Sequence, residues 1–171
     1  MEYRNGHLYF GLTSAVNCSG VVEDGLLWAS IMPQLSTLAT HNPQQVAGLA
    51  RGYTDSGYWC LSGADSCLPA VAPTTEGDVA LVYQYSSVSV YPSVAYTGRM
   101  AVDTPGTMGQ GGVSSVVVAG HYDDLTVFFT NAVCALAPNL VSRGTLYCAS
   151  AYGGANSSMI WDTELLSLRL E

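Results

Sequence analysis

"GDVALVYQYSSVSVYPSVAYTG" (residues 77–98) is the stretch on which the fold turns. Val79, Ala80, Leu81 and Val82 are apolar without a break. A strand with one wet face alternates polar and apolar residues, so an unbroken run reads as a strand covered on both sides. Beyond Gln84 the chain becomes a serine-rich bend, and Pro92 marks the opening of a new strand, where its missing N–H costs least. The stretch therefore reads as the junction between two repeated units rather than as a simple two-residue hairpin. On that reading the chain holds part of a sheet array.

The surrounding sequence supports an all-β chain. It is rich in Val, Tyr, Ser, Thr and Gly, the residues of strands and tight turns. Strands are expected at 7–13, 26–31, 57–62, 78–85, 92–97, 113–119, 125–130, 145–151 and 159–168, with turn signals between nearly all of them. The best helical period, "PQQVAGLARGY" (43–53), offers only Val46, Leu49 and Ala50 as a stripe and is weakened by Gly48 and Gly52. The pattern fits a partial or small β-propeller-like array of antiparallel sheets, with a β-sandwich as the alternative. An internal echo points the same way. "NGHLYFGLTSAV" (5–16) and "EGDVALVYQYSS" (76–87) share a glycine, one polar residue and an aromatic-bearing strand. Leu68-Pro69-Ala70-Val71-Ala72 also aligns with Tyr91-Pro92-Ser93-Val94-Ala95 without a gap.

Composition bounds the partners. Residues 1–171 read as a single all-β domain, whole in itself or a fragment of a longer propeller. The chain is 49% hydrophobic and 11% charged, which argues against disorder. A net charge of −8, with arginine as the only strong base, argues against nucleic-acid phosphate as a partner. No apolar run approaches the ~20 residues that span a bilayer as a helix. Met1 to Arg4 lead straight into a strand-like segment with no visible signal sequence, as at a boundary inside a longer exported protein; a cytoplasmic chain would start the same way.

Five cysteines bear on the compartment. "CLSGADSC" (60–67) closes a short loop that suits a small Cys60–Cys67 disulfide. Cys134 and Cys148 would face each other if their strands pair about residue 141, leaving Cys18 over. Two disulfides in an oxidising compartment are one reading and buried free thiols the other; no zinc spacing occurs.

The run "PAVAPTTEGDVALVYQYSSVSVYPSVAYTGR" (69–99) resembles secreted proteins with sialidase-like β-propeller repeats, which carry a Pro-Ala-Val/Ile segment, a Gly-hydrophobic strand and a Tyr-Pro-Ser-x-x-Tyr segment. "NGHLYFGLTSAV", "GLLWASIMPQL" (25–35), "GHYDDLTV" (120–127) and the terminal strand with Trp161 and Arg169 fit the same likeness. "TDSGYW" (54–59) keeps Asp55, Gly57 and Trp59 of an Asp-box, with altered spacing and no leading serine. The resemblance implies an extracellular or secreted propeller. At ~40–50 residues per blade, this chain supplies about three or four.

The densest polar cluster is "GHYDDL", with His121, Asp123 and Asp124 in a turn between strands. A carboxylate beside an imidazole can act as general base with its orienter, or as metal ligands. Hard oxygen ligands suit Ca²⁺, so Asp103, Asp123 and Asp124 are the expected metal ligands; a solvated turn is the plain alternative. "DTPGTMGQGG" (103–112) reads as a flexible loop, pocket-lining or a surface excursion, and Arg99 beside it could clamp a carboxylate or ion-pair with Asp103. Tyr58, Trp59, Tyr83, Tyr85 and Tyr91 could bind sugars or acyl groups through flat apolar faces, or pack in the core. No Gly-x-Ser-x-Gly elbow, zincin motif or phosphate-binding glycine loop occurs.

Two functions follow. One is a secreted hydrolase of propeller type, with or without Ca²⁺, that acts on a glycoside, ester or lactone through water activated by His121, Asp123 and Asp124 with Arg99. The other is a non-catalytic carbohydrate-binding or assembly module that completes its sheet array as a homo-oligomer.

Overall fold

The computed structural model describes residues 1–33, 53–109, 114–118, 133–136, 145–153 and 161–169. Among them are eleven strands and no helix: β1 (Glu2–Arg4), β2 (His7–Cys18), β3 (Val21–Ile31), β4 (Tyr53–Trp59), β5 (Asp65–Pro73), β6 (Val79–Ser87), β7 (Val90–Arg99), β8 (Ser114–Val118), β9 (Val133–Leu136), β10 (Thr145–Gly153) and β11 (Trp161–Arg169). They form three sheets, β1-β2-β3-β4, β5-β6-β7-β8 and β9-β10-β11. Within each, sequence neighbours pair antiparallel. The expected strand at 125–130 and the helical period at 43–52 lie outside the described residues.

Local chemistry explains the reversals. Asn5 and Gly6 take φ of 50° and 83° between Arg4 and His7, the left-handed pair that a two-residue hairpin requires. Ser19 and Gly20 do the same between β2 and β3, and the Asn17 side chain accepts the Gly20 amide at 2.8 Å.

The 77–98 stretch is a hairpin inside one sheet and not a junction between units. Ser87 pairs with Val90 across a Val88–Ser89 tip, and the strands then zip from Tyr85↔Ser93 to Val79↔Arg99. The turn is built without glycine. Ser87 Oγ accepts the Ser89 amide at 3.2 Å, and a bulge between Tyr85 and Ser87 adjusts the register. A serine-closed turn lacks the Asn-Gly signature, so the sequence around it looks like a boundary.

The double-sided character of β6 is real, and it organises the layers. Val79, Leu81, Tyr83 and Tyr85 pack with Tyr9, Leu26 and Trp28 of the β1–β4 sheet. The alternate residues Ala80 and Val82, with Ala70, Ala72 and Val94, pack with Leu146, Cys148, Leu166 and Leu168 of the β9–β11 sheet. Gln84 points to that second side and donates to the Ala151 carbonyl at 2.6 Å. The β5–β8 sheet is thus the middle of three layers. No sheet closes on itself among the described residues.

One internal echo has a structural counterpart. β2 and β6 are each the second strand of a four-stranded meander, each following a glycine turn. The two turns touch, since Asn5 Nδ2 donates to the Thr75 carbonyl at 3.0 Å. The other alignment relates β5 and β7, which flank β6 in a single sheet and are not separate units.

The cysteine pairing differs from expectation. Cys18 and Cys60 form a disulfide, with Cα atoms 6.0 Å apart, while Cys67 is free. Leu61 and Ala64 bridge in a tight turn that carries the chain from β4 toward β5 of the next sheet, which leaves Cys60 facing the end of β2. The 134/148 expectation holds at the level of register. Cys134 pairs directly with Cys148, and Cys148 is disulfide-bonded.

Truncating Leu81, which is fully buried, should cost about 2–5 kcal/mol in chemical unfolding. Leu12→Ala, on an exposed face, should change stability by no more than about 0.5 kcal/mol.

Candidate functional site

The inner face of β4 carries Asp55, Gly57 and Trp59 at alternate positions, so "TDSGYW" presents all three toward the core. Each docks the segment that follows β7. The Asp55 carboxylate accepts from Arg99 Nη1 and, through its other oxygen, from the Gly106 amide at 2.7 Å. A Cβ on Gly57 would lie 2.1 Å from the Gly106 carbonyl oxygen, so only glycine admits that backbone. Gly109 lies under the Trp59 ring, where a Cβ would come within 2.5 Å, and Trp59 Nε1 donates to Tyr83 Oη at 3.0 Å.

Arg99 is the hub of this knot. It ion-pairs with Asp55, donates to the Asp103 carbonyl at 3.0 Å and lies 5.5 Å from the Trp28 ring centroid. Asp103 turns its carboxylate back to the Met100 amide at 2.8 Å. The expected Arg99–Asp103 ion pair is therefore replaced by Arg99–Asp55, because Asp103 offers the arginine its backbone. Asp78 completes the anchoring by accepting the Ala101 amide at 2.8 Å and the Thr74 hydroxyl. Residues 103–109 are pinned at both ends, with Met108 buried in the core. Arg99 and Asp55 are both largely buried, so the guanidinium is committed to structure rather than offered to a ligand.

Most of the expected catalytic and metal-ligating cluster falls outside the described residues. His121, Asp123 and Asp124 lie outside the described residues. Of the three expected Ca²⁺ ligands only Asp103 is described. Among the described residues no group of three or more His, Cys, Asp or Glu side chains is arranged to hold a metal. Of the five aromatics, the structure brings Trp59, Tyr83 and Tyr85 to one core cluster, with Trp59 hydrogen-bonded to Tyr83. Tyr83 and Tyr85 are core residues, Tyr91 is exposed beside the hairpin tip, and Tyr58 faces away from Trp59.

Strand pairing brings together one pair that local reading missed. His7 Nδ1 and Ser30 Oγ are 3.1 Å apart, and Ser30 stands opposite Asp55 in the β3–β4 register. Hydroxyl and imidazole in contact are the minimal unit of an activated nucleophile. Ser30 is 4% exposed, however, and Asp55 is held by Arg99, so the group serves the sheet interior. No sequence signal links residues 23 positions apart; only the register does.

The surface offers a different kind of site. The β1–β4 face that points away from the middle sheet carries Tyr3, Leu8, Phe10, Leu12, Leu27 and Tyr58, which register places side by side. Leu12 is 52% and Tyr58 59% exposed. Contiguous apolar surface of this kind marks interaction sites. Comparison with protein-family models, curated proteins and solved structures returns no match.

Two outcomes test this geometry. Asp55→Ala should cost about 3–5 kcal/mol in urea unfolding, because it strands a buried guanidinium. Cys67 provides a pH readout. Burial, followed by the negative charges of Asp24 and Asp65, pushes its thiol up from 9.0 to about 11. At pH 8 the folded chain should be alkylated by iodoacetamide at Cys67 roughly a hundredfold more slowly than the unfolded chain. The unfolded thiol ionises first, so this group's contribution to stability is intact below pH 9 and falls as pH rises toward 11.

Proposed function

We propose that the chain is a non-catalytic binding or assembly module that works outside the cell. The apolar face of the β1–β4 sheet, on which Tyr3, Leu12 and Tyr58 are exposed, is the observation that carries this reading. Interface cores are depleted of charge and enriched in aromatics. The disulfide-bonded Cys18, Cys60 and Cys148 support an oxidising compartment. Consecutive meander sheets stacked face to face support a propeller-like array and the likeness to sialidase-like repeat proteins. Such an array is completed by oligomerisation, and the flat tyrosines of the same face suit a carbohydrate ligand. A Ca²⁺-dependent hydrolase draws instead on His121, Asp123 and Asp124.

A panel of glycosides, esters and lactones separates these functions when assayed with and without EDTA. No turnover is expected. Turnover that chelation or Asp123→Ala abolishes at unchanged Tm would replace the module with the hydrolase. On affinity electrophoresis through polysaccharide gels, retention of the wild type and its loss in Tyr58→Ala are the positive outcome for sugar binding.

A further inference from the structure

We propose that the open edge of β2 from Gly11 to Asn17 receives an extended segment of a partner protein as an added antiparallel strand. This edge is separate from the apolar face of the same sheet, and its occupant does not depend on what that face binds.

Two turns fix which backbone groups the edge presents. The residues that flank a two-residue hairpin turn exchange both of their backbone hydrogen bonds. Arg4 and His7 flank Asn5-Gly6, so the odd-numbered residues of β2 aim their N–H and C=O groups toward β1. Cys18 and Val21 flank Ser19-Gly20, so the even-numbered residues aim theirs toward β3. The β2–β3 register runs from Leu8↔Ile31 to Cys18↔Val21 without a shift, and that parity holds along the strand. β1 is three residues long and reaches only to Tyr9. Beyond it the backbone groups of Gly11, Thr13, Ala15 and Asn17 face outward, with no strand beside them among the described residues. Thr13, Ala15 and Asn17 are exposed.

A row of alternating donors and acceptors is matched by another extended backbone. The other edges among the described strands carry devices against such pairing. β4 turns the charged Asp55 inward, under the 103–109 segment. β5 has Pro69 and Pro73 and a bulge between Cys67 and Ala70. β11 carries Glu164, while β8 and β9 are five and four residues long. By contrast "GLTSAVN" (11–17) has no charge, no proline and no bulge.

The gap also states what fits it. β1 closes one end and the Ser19-Gly20 turn the other, so the added strand has room beside Gly11 to Asn17 and no more. Pro69 Cγ lies 3.1 Å from where a Cβ on Gly11 would stand, and Thr13 Oγ1 already accepts the Leu68 amide at 3.0 Å. Inward-facing residues of the partner are therefore small at that end, while outward-facing ones lie beside the exposed Leu12 and can be apolar. Glu23 and Asp24 stand opposite Val16 and Ala15 on β3, which favours a neutral or basic partner over an acidic one.

A phage-displayed library of random linear peptides, panned on the full chain with Ala15→Pro as counter-target, provides the test. Proline at 15 removes an outward N–H and no ladder bond, so the variant should keep the wild-type Tm. Peptides should be enriched on the wild type and lost on Ala15→Pro, with Ala15→Lys as second counter-target if proline perturbs the strand. At saturation, an enriched peptide should slow amide exchange at Gly11, Thr13, Ala15 and Asn17 about tenfold or more and leave Leu12, Ser14 and Val16 unchanged. N-methylation of the peptide at one set of alternate residues should abolish binding to the wild type, and at the other set should preserve it, since only one set faces β2. No enrichment on the wild type over the variants, or a peptide indifferent to both methylation patterns, overturns the added strand. Protection of the same amides on raising protein concentration without peptide makes a second copy the strand donor. That overturns the partner named here and leaves the assembly function standing.

Discussion

Burial of β6 on both faces is the constraint from which the other layers take their positions. A strand with no wet side must satisfy every backbone group through its neighbours and every side chain through packing or a hydrogen bond. β6 meets the first demand with β5 and β7 on its two edges. It meets the second with alternating sets of residues, aromatic and long toward β1–β4, small toward β9–β11. Gln84 meets the demand by half: its Nε2 donates to the Ala151 carbonyl, while its buried Oε1 has no hydrogen-bond partner among the described residues. The outer sheets have no comparable demand, and their far faces carry the exposed Tyr58 and Leu165.

The sequence was readable where physics acts locally. The apolar run from Val79 to Val82 reports double-sided burial by itself. The midpoint between Cys134 and Cys148 predicts their register because the strands that carry them are adjacent in one meander. Readability failed where the deciding contact is distant. Cys18 meets Cys60 because of how β2 and β4 are arranged, and no spacing rule encodes that. Arg99 meets Asp55 across 44 residues while Asp103, four residues away, supplies only its carbonyl. Tyr58 and Trp59 are neighbours in sequence, yet strand alternation sends them to opposite faces, so adjacency was misleading as a sign of one binding patch.

"TDSGYW" shows how a recognisable pattern can serve structure. Its charged, small and aromatic residues fall on one face of a strand, and each takes a different part of the 103–109 segment: an amide, a carbonyl and a glycine. The ion pair at its head is desolvated. Such a pair confers specificity of arrangement more reliably than net stability, and here it selects one path for the chain between β7 and β8.

Among the described residues every hydrogen-bonded strand pair joins consecutive strands, and the sheets meet through their faces and a few side-chain hydrogen bonds rather than through backbone ladders. Backbone pairing therefore places no demand on the covalent order of the three sheets. The order is held by the Asn5–Thr75 contact and face packing, while the Cys18–Cys60 link closes on the β1–β4 sheet itself. A chain organised this way can gain or lose a whole meander, or be circularly permuted at a link between sheets, without breaking a ladder. Duplication of a four-stranded unit is then an economical origin for β1–β4 and β5–β8, whose second strands still share a sequence echo and whose glycine turns still touch.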